Sequence, residues 1–204
     1  EKLLELDIKA RELCKDTFLE IDKISMYNQH KVLAAFINNK VSEADLGVST
    51  GYGYGDRGRD NLEKVFAECM GAEDSLIRHN FVSGTHTLSV MLFGVLRPGD
   101  TMLCLTGRPY DTLIGVLGID GHSDGSLKDF GVLYRQVDLK NGDVDYDAIK
   151  TALTANKVRA VMIQRSKGYA TRPSFSVKQI GELIEFVKSI KSDVICMVDN
   201  CYGE

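Results

Sequence analysis

From residue 74 onward, short apolar runs recur between segments of helical pattern, and this alternation limits the possible folds more than any other feature. TMLCL (101–105), GVLYRQV (131–137), VRAVMI (158–163) and VICMV (194–198) read as strands. The run at 101–105 is apolar without a break, as in a strand buried on both faces. Helical patterns fill 85–96, the end of 107–117, 146–153 and 177–190, with turns at RPGD (97–100) and around Asn141-Gly142. A further short strand is expected at 75–77. Strand and helix in this order imply an α/β fold with a mostly parallel sheet, helices on both faces and right-handed crossovers.

The first fifty residues follow a different rule. Leu3, Leu4, Ile8, Leu13, Phe18 and Ile21 recur at helical spacing among alternating charges, predicting an amphipathic helix over 1–23 that packs on a partner surface or a domain flank. A second helix is expected over 24–38. Residues 42–59 form a glycine- and tyrosine-rich loop, and Asp60 is placed to cap a helix over 61–70. These patterns divide the chain into an N-terminal helical segment, 1–50, and an α/β domain, 51–204. Gly53-Tyr54-Gly55-Asp56-Arg57-Gly58 has the G-x-G-x-x-G form, but no strand-like run precedes it, so the dinucleotide reading fails. An interface loop fits that composition better.

Bulk properties exclude several classes. The 204 residues are 44% hydrophobic and 26% charged, with a net charge of −4 and both signs interspersed. That balance argues against a nucleic-acid surface or a polybasic membrane patch. No run approaches membrane-spanning length. Five cysteines, mostly inside apolar runs, fit free thiols and a cytoplasmic setting better than a disulfide framework. No ligand spacing for a structural metal is present.

Open parallel sheets bind ligands beyond the carboxyl ends of their strands. There the sequence places Tyr110, Gln164-Arg165-Ser166 and Asp199-Asn200-Cys201-Tyr202, with the Ser83-Gly84-Thr85 loop on the same rim. Ser83 is placed as a helix N-cap, Gly84 permits close approach of the backbone, and the first free N–H groups of the helix suit an anion such as phosphate. Asp199 ends an apolar strand, where a carboxylate needs a metal, a buried arginine or a protonated heterocycle as partner. A phosphate cup, a stacking ring at Tyr110 and an acid for a pyridine nitrogen together suit pyridoxal phosphate. Each piece alone has a plainer reading: an ordinary capped helix, a packing tyrosine, a turn-capping aspartate.

Five stretches carry a more specific resemblance: STGYGYGDRGRDNLEKVFAECMGAE, HNFVSGTHTLSVMLFGVLRPGD, TGRPYDTL, MIQRSKGYATRPS and MVDNCYGE. In order and spacing they resemble the N-terminal half of a fold-type I pyridoxal-phosphate enzyme, within the aluminium-resistance and methionine γ-lyase-like group of the cystathionine lyase family. The resemblance implies a three-layer large domain, with Ser83, Gly84 and Thr85 on the phosphate. Tyr110 would stack on the ring and serve as the catalytic residue within this chain, and Asp199 would sit at the pyridine nitrogen. Gln164 is placed among the cofactor contacts. Tyr52 or Tyr54, with Arg57, resembles a pair lent to the phosphate of a neighbouring subunit, which implies a homo-oligomer. The activity implied is carbon–sulfur bond cleavage in a small sulfur amino acid by β- or γ-elimination, with no nucleic-acid or membrane partner. The Schiff-base lysine of such enzymes lies after the aspartate strand, beyond Glu204; Lys167 precedes that strand and is expected to be solvated. The chain is therefore expected to be a fragment of a longer polypeptide. Competing readings are an aminotransferase or decarboxylase of the same fold, a non-catalytic binding protein, and a nucleotide-binding α/β domain.

Overall fold

No glycine or proline occurs among the first 46 residues, and nothing interrupts helical hydrogen bonding there. In the computed structural model one helix, α1 (Lys2–Asn38), therefore replaces the two expected over 1–23 and 24–38. The structure describes residues 1–121, 124–155 and 157–201. It divides into two units, Glu1–Phe81 and Val82–Glu204.

In the first unit, Ala35 is the buried residue of α1, while Leu13 is 87% exposed. The helix is tied at its C-terminal end to α2 (Arg57–Met70): the amides of Asn38 and Asn39 donate to the Glu68 carboxylate at 2.7 and 2.8 Å. Helix α2 starts one turn before the expected Asp60 cap. Asp56 is the cap, its Oδ1 accepting the Arg59 N–H at 3.3 Å, and Gly71 ends the helix in the left-handed region at φ 63°. Between α1 and α2 lies a 3₁₀ turn, Glu43–Asp45, and no strand precedes the G-x-G-x-x-G segment. The strand expected at 75–77 does not form. The Glu1–Phe81 unit contains no strand for it to pair with, and the α2 residue Glu63 takes its donors: Ser75 Oγ donates to the Glu63 carbonyl at 2.7 Å and the Ile77 N–H donates to the Glu63 carboxylate at 3.0 Å.

The second unit is α/β throughout. In chain order it contains α3 (Gly84–Val95), β1 (Thr101–Cys104), α4 (Asp111–Leu117), β2 (Leu133–Gln136), α5 (Tyr146–Ala155), β3 (Val158–Gln164), α6 (Val177–Ile190) and β4 (Ile195–Asp199). The four strands form one sheet in the order β2-β1-β3-β4, and every neighbouring pair is parallel. Alternate residues feed two cores. Leu103, Val161 and Ile163 pack with Ile149 and Leu153 of α5 and Leu183 and Val187 of α6. Met102, Met162 and Met197 pack with Leu92 of α3 and Leu113 and Leu117 of α4. The result is helix, sheet, helix: β1, β3 and β4 supply both faces, as unbroken apolar runs require, while the edge strand β2 is mostly exposed and adds Tyr134 to the α3–α4 side.

One irregularity interrupts the alternation. Thr101 pairs with Val158 but Met102 pairs with Ala160, so Arg159 is an extra residue on β3. Val158 therefore joins the α5–α6 core although Ala160 joins the other. Strand β2 is shorter than the expected 131–137 because Gly131, at φ 78°, still closes the preceding turn. The Pro98-Gly99 turn ends α3 and enters β1, with the Arg97 N–H on the Asp100 carboxylate at 2.9 Å.

Candidate functional site

Because all neighbours are parallel, β1, β3 and β4 finish at one edge, where Gln164 of β3 stands in register with Asp199 of β4. The start of α3 faces the same region. Ser83 is fully extended (φ −164°, ψ 165°), and its Oγ accepts the His86 N–H at 3.1 Å, as an N-cap does. The Thr87 N–H goes to the Ser83 carbonyl at 3.0 Å. Among the described residues, the N–H groups of Gly84 and Thr85 meet no acceptor, the usual condition of a helix start. The space in front of Gly84 is open, since a Cβ there would meet no atom within 4 Å. Thr85 and Thr112 share a hydroxyl hydrogen bond of 2.6 Å, joining the first turns of α3 and α4.

Tyr110 precedes α4, and its N–H donates to Gln164 Oε1 at 2.8 Å. Its ring stacks on Tyr169 from the β3–α6 loop, with centroids 6.1 Å apart and planes at 26°. Asp199 accepts the Cys201 N–H on Oδ1 at 3.2 Å, and its carbonyl accepts the Arg165 N–H at 3.0 Å. Among the described residues no lysine or arginine forms an ion pair with its carboxylate.

Ser83, Gly84, Thr85, Tyr110 and Asp199 thus line a single cavity of about 700 Å³, within the range of small-molecule sites. Its apolar wall comes from Leu88, Met91 and Val198. Gln164 is not on that wall; it is 7% exposed and lies behind Tyr110. Tyr54 and Arg57 belong to the first unit. Tyr54 is 88% exposed, and the Arg57 guanidinium bonds the Asp45 carboxylate at 2.8 Å. The Asp45 carboxyl is held below the usual range, first by the Ser42 N–H and further by Arg57. Lys167 is exposed, and Tyr202 lies outside the described residues. No cluster of His, Cys, Asp or Glu among the described residues is arranged to hold a metal.

Sequence reasoning missed Thr112, Gly168 and Tyr169 on the cavity wall. The pairing of Thr112 with Thr85 depends on how two helices meet and leaves no local trace. Gly168-Tyr169 did leave one: a glycine beside an aromatic in a strand-end loop is a common way to bring a backbone against a ring.

The family model for methionine gamma-lyase matches residues 3–204. YnbB, an uncharacterized protein of Bacillus subtilis (strain 168), is 51% identical over 187 residues, which is 91% of this chain and 44% of YnbB. Two solved structures superpose closely. A proposed cystathionine beta-lyase involved in aluminum resistance from Listeria monocytogenes has a TM-score of 0.92 and 49% identity, covering 96% of this chain and 48% of its own. A carbon-sulfur lyase involved in aluminum resistance from Clostridium novyi NT has a TM-score of 0.92 and 45% identity, covering 100% of this chain and 49% of its own. The chain spans about half the length of these relatives.

Proposed function

The chain belongs to the methionine gamma-lyase family, and from that premise we propose that it forms the cofactor-binding part of a pyridoxal-phosphate-dependent carbon–sulfur lyase of fold-type I. The substrate class is a sulfur amino acid, cleaved by a cystathionine- or methionine-type β- or γ-elimination. One observation carries the reading: a capped helix start, a tyrosine face and a carboxylate that has no lysine or arginine ion-pair partner among the described residues share one cavity. The names of the two solved relatives, a proposed cystathionine beta-lyase and a carbon-sulfur lyase, support it.

The residues present fit the cofactor. Gly84 and Thr85 offer N–H groups at the positive end of α3, and the open space before Gly84 leaves room for a phosphate. Ser83 accepts from His86 through a lone pair, so its own O–H serves as a donor toward the anion. Asp199, with Oδ1 fixed by the Cys201 N–H, holds a proton on a ring nitrogen set against it. Tyr110 presents a ring face for stacking, and its phenol is placed to hold or move a proton above the reacting atoms. The cofactor, when bound, draws electron density from the substrate's α-carbon so that a thiol can leave.

Tyr54 and Arg57 are assigned to the phosphate of a neighbouring subunit in a homo-oligomer. Arg57 has five N–H donors, enough to keep Asp45 and still serve an anion. Relatives about twice as long as this chain support placing the Schiff-base lysine downstream of Glu204. A cytoplasmic setting is proposed; no described helix is long and apolar enough to cross a membrane.

The test is spectroscopic first. The full-length protein mixed with pyridoxal phosphate should show an absorption band at the visible edge and release a thiol from cystathionine or methionine, or hydrogen sulfide from cysteine. Asp199→Asn should lower turnover by roughly 10²–10³-fold, the usual cost of losing one electrostatic stabiliser, with unchanged far-UV circular dichroism. Absence of the band, or full turnover in the variant, would refute the assignment.

A further inference from the structure

Behind the cavity, a buried polar side chain joins two strand-end loops that are 54 residues apart in sequence. Gln164 Oε1 accepts the Tyr110 N–H at 2.8 Å, and Gln164 Nε2 donates to the Ser166 carbonyl at 3.0 Å. Its backbone N–H donates to Thr106 Oγ1 at 3.0 Å. The amide thus has a partner on each side, and a buried amide is tolerated only on that condition. A leucine of similar volume would fill the space but would take the acceptor from the Tyr110 N–H and leave the Ser166 carbonyl with one donor fewer.

The loop that Gln164 anchors is held from its far end by Arg172. That guanidinium donates through one terminal nitrogen to the Gln164 carbonyl at 3.0 Å and the Ser166 carbonyl at 2.6 Å, and through the other to the Pro173 carbonyl at 3.0 Å. It also lies 4.9 Å from the ring centre of the buried Phe175. No carboxylate pairs with it among the described residues, and burial lowers its affinity for the proton. A partly buried cation spent on three carbonyls of one loop is a brace for that loop. What the brace presents is Gly168, at φ 55°. A Cβ there would stand 3.2 and 3.3 Å from two carbons of the Tyr110 ring and would require the ring to give way by a few tenths of an ångström, so glycine lets the loop lie closer to that face than a side chain would.

We propose that Gln164, braced by Arg172, is a positioning residue: it fixes the backbone of Tyr110 while Gly168 sets the tilt of the ring over the cavity. Gln164 then acts on a ligand through Tyr110 and does not touch it. The choice of probe below rests on the cavity's reading as a pyridoxal-phosphate site; the positioning itself does not.

The experiment uses the full-length protein and two readouts. Near-UV circular dichroism without ligand reports the packing of aromatic side chains, and the signal specific to Tyr110 is defined by difference from Tyr110→Phe in the same full-length protein. Pyridoxal phosphate titration gives a dissociation constant. Gln164→Leu should change the Tyr110 signal and weaken the probe about tenfold, the effect of leaving one buried polar group unpaired. Gln164→Glu, which when protonated keeps both an acceptor for the Tyr110 N–H and a donor for the Ser166 carbonyl, should recover most of both at a pH that protonates it. Gly168→Ala leaves the Gln164 bonds in place and should move the same tyrosine signal. In a Tyr110→Ala background, Gln164→Leu should weaken the probe less than about twofold, since coupled residues are non-additive. Equal losses in both backgrounds, or an unchanged tyrosine signal in Gln164→Leu and Gly168→Ala, would overturn the proposal. If the unmodified protein fails to bind the probe while the tyrosine signal shifts as stated, the cofactor reading fails and the positioning role stands.

Discussion

At Gly58 the first turn of α2 passes so close to the Asp45 carbonyl that a Cβ would overlap its oxygen and crowd its carbon. The same junction carries the Arg57–Asp45 ion pair and the Asn61 amide on the Asp45 carboxylate at 2.9 Å. Gly58→Ala must therefore push the 3₁₀ turn away from the helix. The expected cost is about 1–3 kcal/mol of stability in the Glu1–Phe81 unit, seen as a lower denaturant midpoint; an unshifted midpoint would mean the turn yields freely. Gly58 is the last glycine of the G-x-G-x-x-G segment, and its purpose is close packing of a turn on a helix. The rejection of a dinucleotide site was legible in the sequence, because that site needs a strand the sequence lacks. The packing reason for Gly58 was not, since Asp45 is thirteen positions away in the chain. Caps show a similar division. Ser83 is readable as a cap because an extended apolar entry precedes it. Asp60 misleads because Arg57-Gly58-Arg59 is polar, yet helical hydrogen bonding runs through it from Asp56.

At the level of elements, α6 shows how much stability a local signal supplies. Ser176 Oγ accepts the Gln179 N–H at 3.2 Å while Gln179 Oε1 accepts the Ser176 N–H at 2.9 Å, a reciprocal capping box. Ser176→Ala should cost about 1 kcal/mol, measurable as a lower melting temperature of the full-length protein. If the melting temperature holds, the box contributes nothing net. Helix α6 was legible at both ends because its cap, its apolar spacing and its length all agree. The segment 75–77 was not, because Ser75-Leu76-Ile77 has strand-like composition but no strand beside it. Helix α1 belongs between these cases: its helical character was plain, and its continuity followed from the lack of breakers, which a reading by apolar spacing alone split in two.

On the scale of the whole α/β unit, the buried sheet makes stability depend on alkaline pH. Burial pushes the Cys104 thiol up to about 12, an effect opposed by its hydrogen bond with Tyr134. Burial likewise raises the Tyr134 phenol, with Cys104 adding to the shift. Both groups bind protons more tightly folded than unfolded, so their contribution is intact below the ordinary thiol value of about 8.5 and is lost as pH climbs through the folded value. Unfolding free energy should fall from pH 9 upward by on the order of 1 kcal/mol per pH unit for the thiol alone. Cys104→Ala, though less stable at neutral pH, should show a flatter decline; an identical slope would refute the link.

What the amino-acid order determined by itself was whatever depends on neighbours along the chain. That includes the strands buried on both faces, the helices between them, the Ser83 cap and the placing of Tyr110, Gln164 and Asp199 after strand ends. Each of these follows from periodicity, because which face of an element is apolar is written in its own residues. Tertiary structure decided the strand order β2-β1-β3-β4, the extra residue at Arg159, the joining of Ser83, Tyr110 and Asp199 around one cavity, and the seat of Gln164 behind the tyrosine. Those outcomes turn on contacts between residues tens of positions apart, set by register and by which loops end at the same edge, and no local pattern encodes them.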